Sequence, residues 1–313
     1  MKFTYYFILF VFATSFLLPT HAQEVTAEGL VQSAYMDMYQ QQLDEAERKF
    51  NRAIRINPEL AAAFIGRAEL RNQRSAYNAG ILDINRAIEL QPSSAAAYYI
   101  RGELRMNLKD YQGSLVDFNI ALELDPAMQD AIAGKAIALI FLDRDKEAIQ
   151  LIEDNLKRDS EAPAFYYARG MLLYFREKYS KAIEDFNRVI EIDPNYNPFN
   201  VYLNRGVTFL ELLEFDEAKE NLDKSITFGK ERASAYHSRG RVYYKMENYE
   251  KAVSDFKTAL ELNPDNDVTY YNLGMAYLRM DDLLNACESF HRSCSMDNRN
   301  SCRMVLLNCA DLR

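Results

Sequence analysis

A period of 34 residues constrains this chain more than any other feature of it. Pro58, Pro92 and Pro126 stand 34 apart, and Pro194 lies two periods further on. At this spacing small residues recur at Ala34, Ala68, Gly102, Ala136, Gly170, Gly206, Gly240 and Gly274. They recur again twelve positions later at Ala46, Gly80, Ser114, Ala148, Ala182, Ala218, Ala252 and Ala286. Four residues before the first small position stand Leu30, Phe64, Tyr98, Ile132, Tyr166, Tyr202, Tyr236 and Tyr270. Sixteen after it stand Phe50, Ile84, Phe118, Ile152, Phe186, Leu222, Phe256 and Phe290. A short unit repeated eight times has no single central core, so each unit must bury its apolar face on its neighbours.

Within a unit the spacing is helical. Tyr270, Leu273 and Tyr277 share a face with Gly274, and Ala286 and Phe290 are again four apart. Small residues on facing positions let two antiparallel helices approach while the bulky ones fill the space beside them. The Pro falls in the turn to the next unit, where it cannot extend the helix before it.

These residues resemble the tetratricopeptide repeat over 274 of the 313 residues, eight windows from Ala27 to Asn300, with one two-residue insertion near Tyr196-Asn197-Pro198. The resemblance implies an all-α, right-handed solenoid of about eight helix-turn-helix repeats. The windows fall at 27–60, 61–94, 95–128, 129–162, 163–196, 199–232, 233–266 and 267–300, and residues 301–313 form a C-terminal capping helix. Ser160, Lys230 and Asn298 replace the turn Pro and make those turns less regular.

Before the repeats, Lys2 precedes an uncharged run from Phe3 to Leu18, followed by Thr20 and Ala22. This is the layout of a secretory signal cleaved after Ala22, and it is too short for the roughly 20 residues of a membrane span. The expected location is therefore the periplasm, cell envelope or extracellular space, with no stable span after cleavage. A net charge of -9 argues against nucleic acid as a partner. The composition of 49% hydrophobic and 27% charged residues belongs to a folded chain.

Just before the small residue stand Arg67, Arg101, Lys135, Arg169, Arg205 and Arg239, and sixteen residues after four of these come Asp83, Asp117, Asp185 and Asp255. Their joint occurrence predicts structural ion pairs joining the two helices of a repeat. Lys135 with Leu151 and Arg205 with Asn221 lack the acid and are expected to be freer to meet a ligand. The first window has Ser33 and Lys49 at the two positions, and the last has Leu273 and Ser289.

In proteins of this family the first helix of each repeat lines a concave surface that holds a partner peptide or helix. The corresponding positions, one, five and eight residues on from each opening bulky residue, give Tyr99, Glu103 and Met106, then Ala133, Ile137 and Ile140, then Tyr167, Met171 and Tyr174. Further along they give Leu203, Val207 and Leu210, then His237, Arg241 and Tyr244, then Tyr271, Met275 and Leu278. This predicts a groove that is apolar and aromatic in its middle, with His237 and Arg241 available for an acidic group. The resemblance points to a non-enzymatic scaffold for an exported protein or peptide partner. A self-associating envelope component and a binder of small ligands or glycans are the alternatives. No nucleophile motif, phosphate loop or metal-binding His pair occurs, so neither a cofactor nor a metal is expected.

Cys287, Cys294, Cys302 and Cys309 are spaced 7, 8 and 7. Seven residues return a side chain to nearly the same helix face. If the chain reverses near 296–300, Cys287 faces Cys309 and Cys294 faces Cys302. The alternative, a metal site, fits less well because structural zinc ligands are usually two to four residues apart. Thiol titration of the unreduced, denatured protein should find no free thiol, and reductant should release four. Four thiols without reductant would refute the pairing.

Overall fold

The computed structural model describes residues 26–309, and among these the regular elements are seventeen helices. In chain order they are α1 (Ala27–Tyr39), α2 (Leu43–Ile56), α3 (Ala61–Gln73), α4 (Tyr77–Leu90), α5 (Ala95–Asn107), α6 (Tyr111–Leu124), α7 (Gln129–Phe141), α8 (Asp145–Arg158) and α9 (Pro163–Phe175). There follow α10 (Tyr179–Ile192), α11 (Pro198–Glu211), α12 (Phe215–Phe228), α13 (Ala233–Lys245), α14 (Tyr249–Leu262), α15 (Asp267–Arg279), α16 (Leu283–Cys294) and α17 (Arg299–Asn308). Each odd-numbered helix up to α15 packs on the even one after it, and each pair packs on the next, so the chain is an α-solenoid. The leader assigned to residues 1–22 lies outside the described residues.

Local chemistry sets the helix boundaries. The side chains of Asp110 and Asn266 accept from the backbone N–H of Gly113 and Thr269 at 2.9 Å, capping donors that the first turns of α6 and α15 cannot satisfy internally. Pro163 and Pro198 open α9 and α11, where a missing N–H does no harm. Inside every repeat one residue of the turn is left-handed: Gln41, Ser75, Lys109, Asp143, Glu177, Leu213, Glu247 and Asp281, with φ from 57° to 63°. None is glycine, although left-handed backbone costs an L-residue about 1–2 kcal/mol. Packing of the paired helices offsets that strain.

The paired helices touch through a size match that varies from repeat to repeat. Gly102, Gly170, Gly240 and Gly274 lie under the rings of Phe118, Phe186, Phe256 and Phe290, so close that an added Cβ would come within 2.6–2.8 Å of a ring carbon. Where the first helix carries Ala68 or Ala136, the second presents the smaller Ile84 or Ile152, all buried. The first repeat uses another arrangement, in which Phe50 also fills the space over Gly66 of the next repeat.

The solenoid ends in a cross-linked hairpin. Disulfides join Cys287 to Cys309 and Cys294 to Cys302, with Cα separations of 5.7 and 4.7 Å, and fasten α16 to α17. Ser301 donates to Ser293 at 2.6 Å between the two helices, and Ser293 donates to the carbonyl of Asp267 at 2.7 Å, anchoring the hairpin to the last repeat.

The fourth repeat departs from this regularity. Its α8 packs less extensively on α7 and α9 than the other second helices do on their partners, and α7 packs directly on α9. A cleft of about 410 Å³ opens beside α8, lined by Ile149, Ile152, Leu172 and Arg176 among others.

Adding one methyl group tests the size match. Gly240→Ala should destabilise the protein by about 1–3 kcal/mol in urea denaturation, as overpacking of a tight core does. Phe256→Ile in the same chain should recover at least half of that loss, since Ala faces Ile in two other repeats.

Candidate functional site

The charged row along the first helices is occupied by internal pairs. Arg67, Arg101, Arg169 and Arg239 each donate two hydrogen bonds or more to Asp83, Asp117, Asp185 and Asp255, with ion-pair distances of 2.6–2.7 Å. All four acids are buried. Arg71 and Arg105 add a second cation to Asp83 and Asp117, at 2.6 and 2.7 Å. Each guanidinium also lies 5.2–5.7 Å from the ring three residues before it, Phe64, Tyr98, Tyr166 and Tyr236 in turn. The bulky opening residue of a repeat is thus a cation–π platform as well as core.

Two details of the row, at Arg205 and in the first repeat, differ from the sequence-based expectation. Arg205 is not free: it donates to Asn221 at 2.7 Å and Asn187 at 2.6 Å and lies over Tyr202 at 5.3 Å. An amide oxygen replaces the carboxylate there, and burial lowers the pKa of Arg205. Lys135, with Leu151 at the acid's position, forms no ion pair among the described residues, in line with that expectation. The first repeat reverses the polarity: Lys49 on α2 pairs with Asp37 on α1 at 2.5 Å and donates to Ser33 at 2.8 Å. Sequence reading also missed what joins one repeat to the next. Arg67 donates to Asn51 at 2.6 Å, Arg101 to Asn85 at 3.0 Å, and Arg239 to Asp223 at 2.6 Å, all on the preceding repeat. The 34-residue spacing of Asn51, Asn85 and Asn119 carries that signal.

The concave surface divides into two halves. In the C-terminal half, Met171, Tyr174, Leu203, Val207, Arg241, Tyr244 and Tyr271 are partly exposed, whereas Leu210 is buried. A pocket of about 210 Å³ opens here among Tyr244, Phe256, Tyr271 and Met275, with Arg241 and Lys245 in its wall. Arg241 pairs with Glu211 at 3.2 Å. His237 is not available to an acid: its Nδ1 is hydrogen-bonded to the Thr269 hydroxyl at 2.8 Å. Burial, helped by the Arg241 charge, pushes its pKa down to about 4, so the ring is neutral near pH 7.

The other half is polar and crowded. Ile140 and Tyr167 are buried, while Tyr99, Met106 and Ile137 are partly so. Glu69 and Glu103, one period apart, face a bore that also holds Tyr35, Tyr99, Tyr167 and Tyr196. Tyr167 and Tyr196 meet edge to face with centroids 6.4 Å apart. Tyr196 donates to Asp130 at 3.0 Å, and Asn204 donates to the Tyr167 hydroxyl at 2.9 Å. Burial and then the negative charge of Glu103 push Glu69 up to about 7, against the opposing hydrogen bond from Tyr35. Burial also pushes Glu103 up to about 7; the Tyr99 hydroxyl and the Arg232 charge oppose this and Asp130 adds to it. In this half a carboxyl group stands at each of two successive groove positions, Glu69 of the second repeat and Glu103 of the third, beside the aromatic and apolar positions of the middle repeats.

Tetratricopeptide repeat models match residues 66–129, 163–196 and 268–300, and a related TPR repeat model matches 240–281, together roughly half of the chain. The chain belongs to the tetratricopeptide repeat family. A curated relative, the DnaJ homolog subfamily C member 7 homolog of Dictyostelium discoideum, is 34% identical over 71 residues. That match covers 23% of this chain and 13% of the relative. Among solved structures, the APC/C hetero-tetramer Cut9–Hcn1 superposes with a TM-score of 0.65 at 15% identity, covering 90% of this chain and 55% of that one. A tetratricopeptide repeat protein from Parabacteroides merdae gives 0.53 at 20% identity, covering 80% of this chain and 98% of that one. At these identities the structures establish the fold alone.

The bore of this tetratricopeptide repeat solenoid has a thermodynamic signature. Glu69 and Glu103 hold protons in the native state that the unfolded chain releases near 4.5, so their contribution to stability is fully present at low pH. It is lost as the pH rises through about 7. Glu103→Gln should therefore raise stability at pH 8 by about 1–3 kcal/mol and flatten the decline between pH 5 and 8, measured by urea denaturation at a series of pH values. An unchanged pH profile in that variant would remove Glu103 as its source.

Proposed function

We propose that this protein is an exported scaffold that holds a segment of another exported protein against the C-terminal half of its concave surface. As a class, tetratricopeptide repeat proteins are protein–protein interaction scaffolds, and the four family matches place this chain among them. The observation that carries the assignment to one half is the pocket among Tyr244, Phe256, Tyr271 and Met275, with Met171, Tyr174 and Leu203 partly exposed at groove positions of the two repeats before it. Tyrosine and methionine suit it, the first as a rigid anchor with a polar tip and the second as an adaptable contact. Export is supported by the leader-like run Phe3–Leu18 and by two disulfides, which persist in oxidising compartments. Among the described residues no helix is long and apolar enough to cross a membrane.

A second reading has one observation in its favour. Leu284, Leu306 and Leu307 are 67–76% exposed on the terminal hairpin, an apolar surface suited to association between copies.

One set of substitutions separates the two readings. Met171→Asp, Tyr174→Asp and Tyr244→Asp together should reduce partner capture more than tenfold, read by crosslinking and pull-down from the native envelope. Helicity and sedimentation should not change. Capture at the wild-type level by the folded variant would exclude this groove, whereas Leu306→Asp with Leu307→Asp should alter sedimentation only under the second reading.

A further inference from the structure

Contacts in a solenoid join neighbouring repeats, but two hydrogen bonds in this one span almost five. Arg74, at the end of α3, donates through Nε to Glu231 at 3.0 Å, 157 positions away. Arg232 donates from its Nε to the carbonyl of Gln73 at 3.2 Å, 159 positions away. Among the described residues, every other side-chain hydrogen bond joins residues at most 66 apart. The loop between α12 and α13 therefore reaches across the superhelix and meets the turn of the second repeat, closing the second to sixth repeats into a ring.

Both sides of this contact are prepared for it. Arg74 is gripped from its own side by Glu47 at 2.6 Å and by Asp44, so its guanidinium is already aimed when Glu231 arrives. Arg232 lies 4.3 Å above the Phe199 ring, which holds it in place, and its charge faces Glu103, Tyr77 and Tyr167 inside the bore. Glu231 and Lys230 remain exposed, and no extensive helix packing accompanies the contact. The closure is thus made by a few side chains at two turns.

We propose that this contact is a gate: a clasp of Arg74 with Glu231 and of Arg232 with Gln73 that closes the bore over Tyr99, Glu103 and Tyr167 and opens to admit a partner segment. Its role in partner entry rests on the groove reading above, while its opening is a property of the chain alone. With the clasp shut, the bore around Tyr99, Glu103 and Tyr167 is covered, while the pocket lined by Arg241, Tyr244 and Tyr271, beyond the clasp in the chain, stays accessible. The open solenoid adds the acidic, tyrosine-rich half, so that a partner is gripped along the whole concave surface. Opening returns Glu69 and Glu103 to water, which removes the burial that holds their protons, so both ionise and the second half prefers a cationic segment in the place that the Arg232 charge takes in the closed state.

Two readouts on the isolated, disulfide-intact protein test the gate. The first is the distance between fluorophores placed by unnatural amino acids at Asn78 and Lys230, both exposed. Glu231→Arg, which sets like charges against each other at the clasp, should lengthen it by about 10 Å, one helix diameter. The wild type in 1 M salt should shift in the same direction, because screening then acts within about 3 Å. The second readout is tyrosine nitration mapped by mass spectrometry. Tyr99 and Tyr167 should react several-fold faster in Glu231→Arg, with Tyr39, which is 82% exposed, as the unchanged control. Arg232→Ala gives an independent opening variant, and circular dichroism verifies that each variant is folded. Unchanged distance and nitration in folded Glu231→Arg and Arg232→Ala overturn the gate. Loss of capture by groove substitutions is scored separately and bears only on the groove.

Discussion

The arginine that stands just before the small residue in five of the eight repeats is the interaction on which the shape of this molecule depends. Its guanidinium reaches the Asp, or for Arg205 the Asn, on the second helix of its own repeat and, in all but Arg169, uses another nitrogen to reach the Asn or Asp on the second helix of the preceding repeat, as Arg101 does with Asp117 and Asn85. One planar group with fixed donor directions therefore sets two things together: how the helices of a repeat are paired and how one repeat is rotated on the last. Because the rotation accumulates along the chain, small changes in these bonds alter the curvature of the whole solenoid. The buried aspartates make the arrangement demanding. Asp117 is fully buried and satisfied by Arg101 and Arg105, and a partner lost there would leave an uncompensated charge, worth about 3–5 kcal/mol.

Curvature explains why the second repeat can meet the boundary of the sixth and seventh. The energies at that meeting are small compared with those that hold the repeats together. Arg74 is 19% exposed and Glu231 47% exposed in their side chains, and exposed or half-exposed pairs contribute about 0–1 kcal/mol. The closure is therefore a weak contact placed at the end of a stiff lever. Such an arrangement is poised, because a partner or a change in ionic strength can shift it without disturbing the Gly–Phe contacts inside each repeat.

Much of the fold was legible because its determinants are periodic. A helix pair needs a small residue opposite a large one every 34 positions, and the chain writes that rule out eight times, so the pairing of Gly102 with Phe118 or Gly274 with Phe290 follows from counting. The disulfide pairing was legible for the same reason, since two seven-residue spacings on antiparallel helices admit one simple register. The division of the groove was not legible. Tyr99, Ile137 and Tyr167 read as an open apolar surface, yet the bend brings Arg232 and Tyr196 over them, and neither of these belongs to the repeating pattern. The position of Glu103 in the groove was readable, but its pKa of about 7 was not, because it reflects burial and the charges of Asp130 and Arg232, which only the folded superhelix brings near it.

The two-residue insertion near Asn197 shows how an exception to the period shapes the site. Asn197 sits at φ 40°, outside ordinary helical or extended backbone, and the extra residues carry Tyr196 off the helix pair and towards the bore. There its hydroxyl donates to Asp130, 66 positions earlier, and its ring packs against Tyr167. A regular 34-residue repeat would have no residue free to do this, since each large side chain is already committed to its neighbour's small one. The insertion thus adds an aromatic wall that a strict solenoid lacks, one repeat before the loop that carries Arg232. The two irregular turns, at 196–198 and 229–232, flank one repeat and both bring a side chain, Tyr196 and Arg232, towards Glu103. Departures from the period, rather than the period itself, distinguish the bore of this chain from the generic concave face its repeats would otherwise produce.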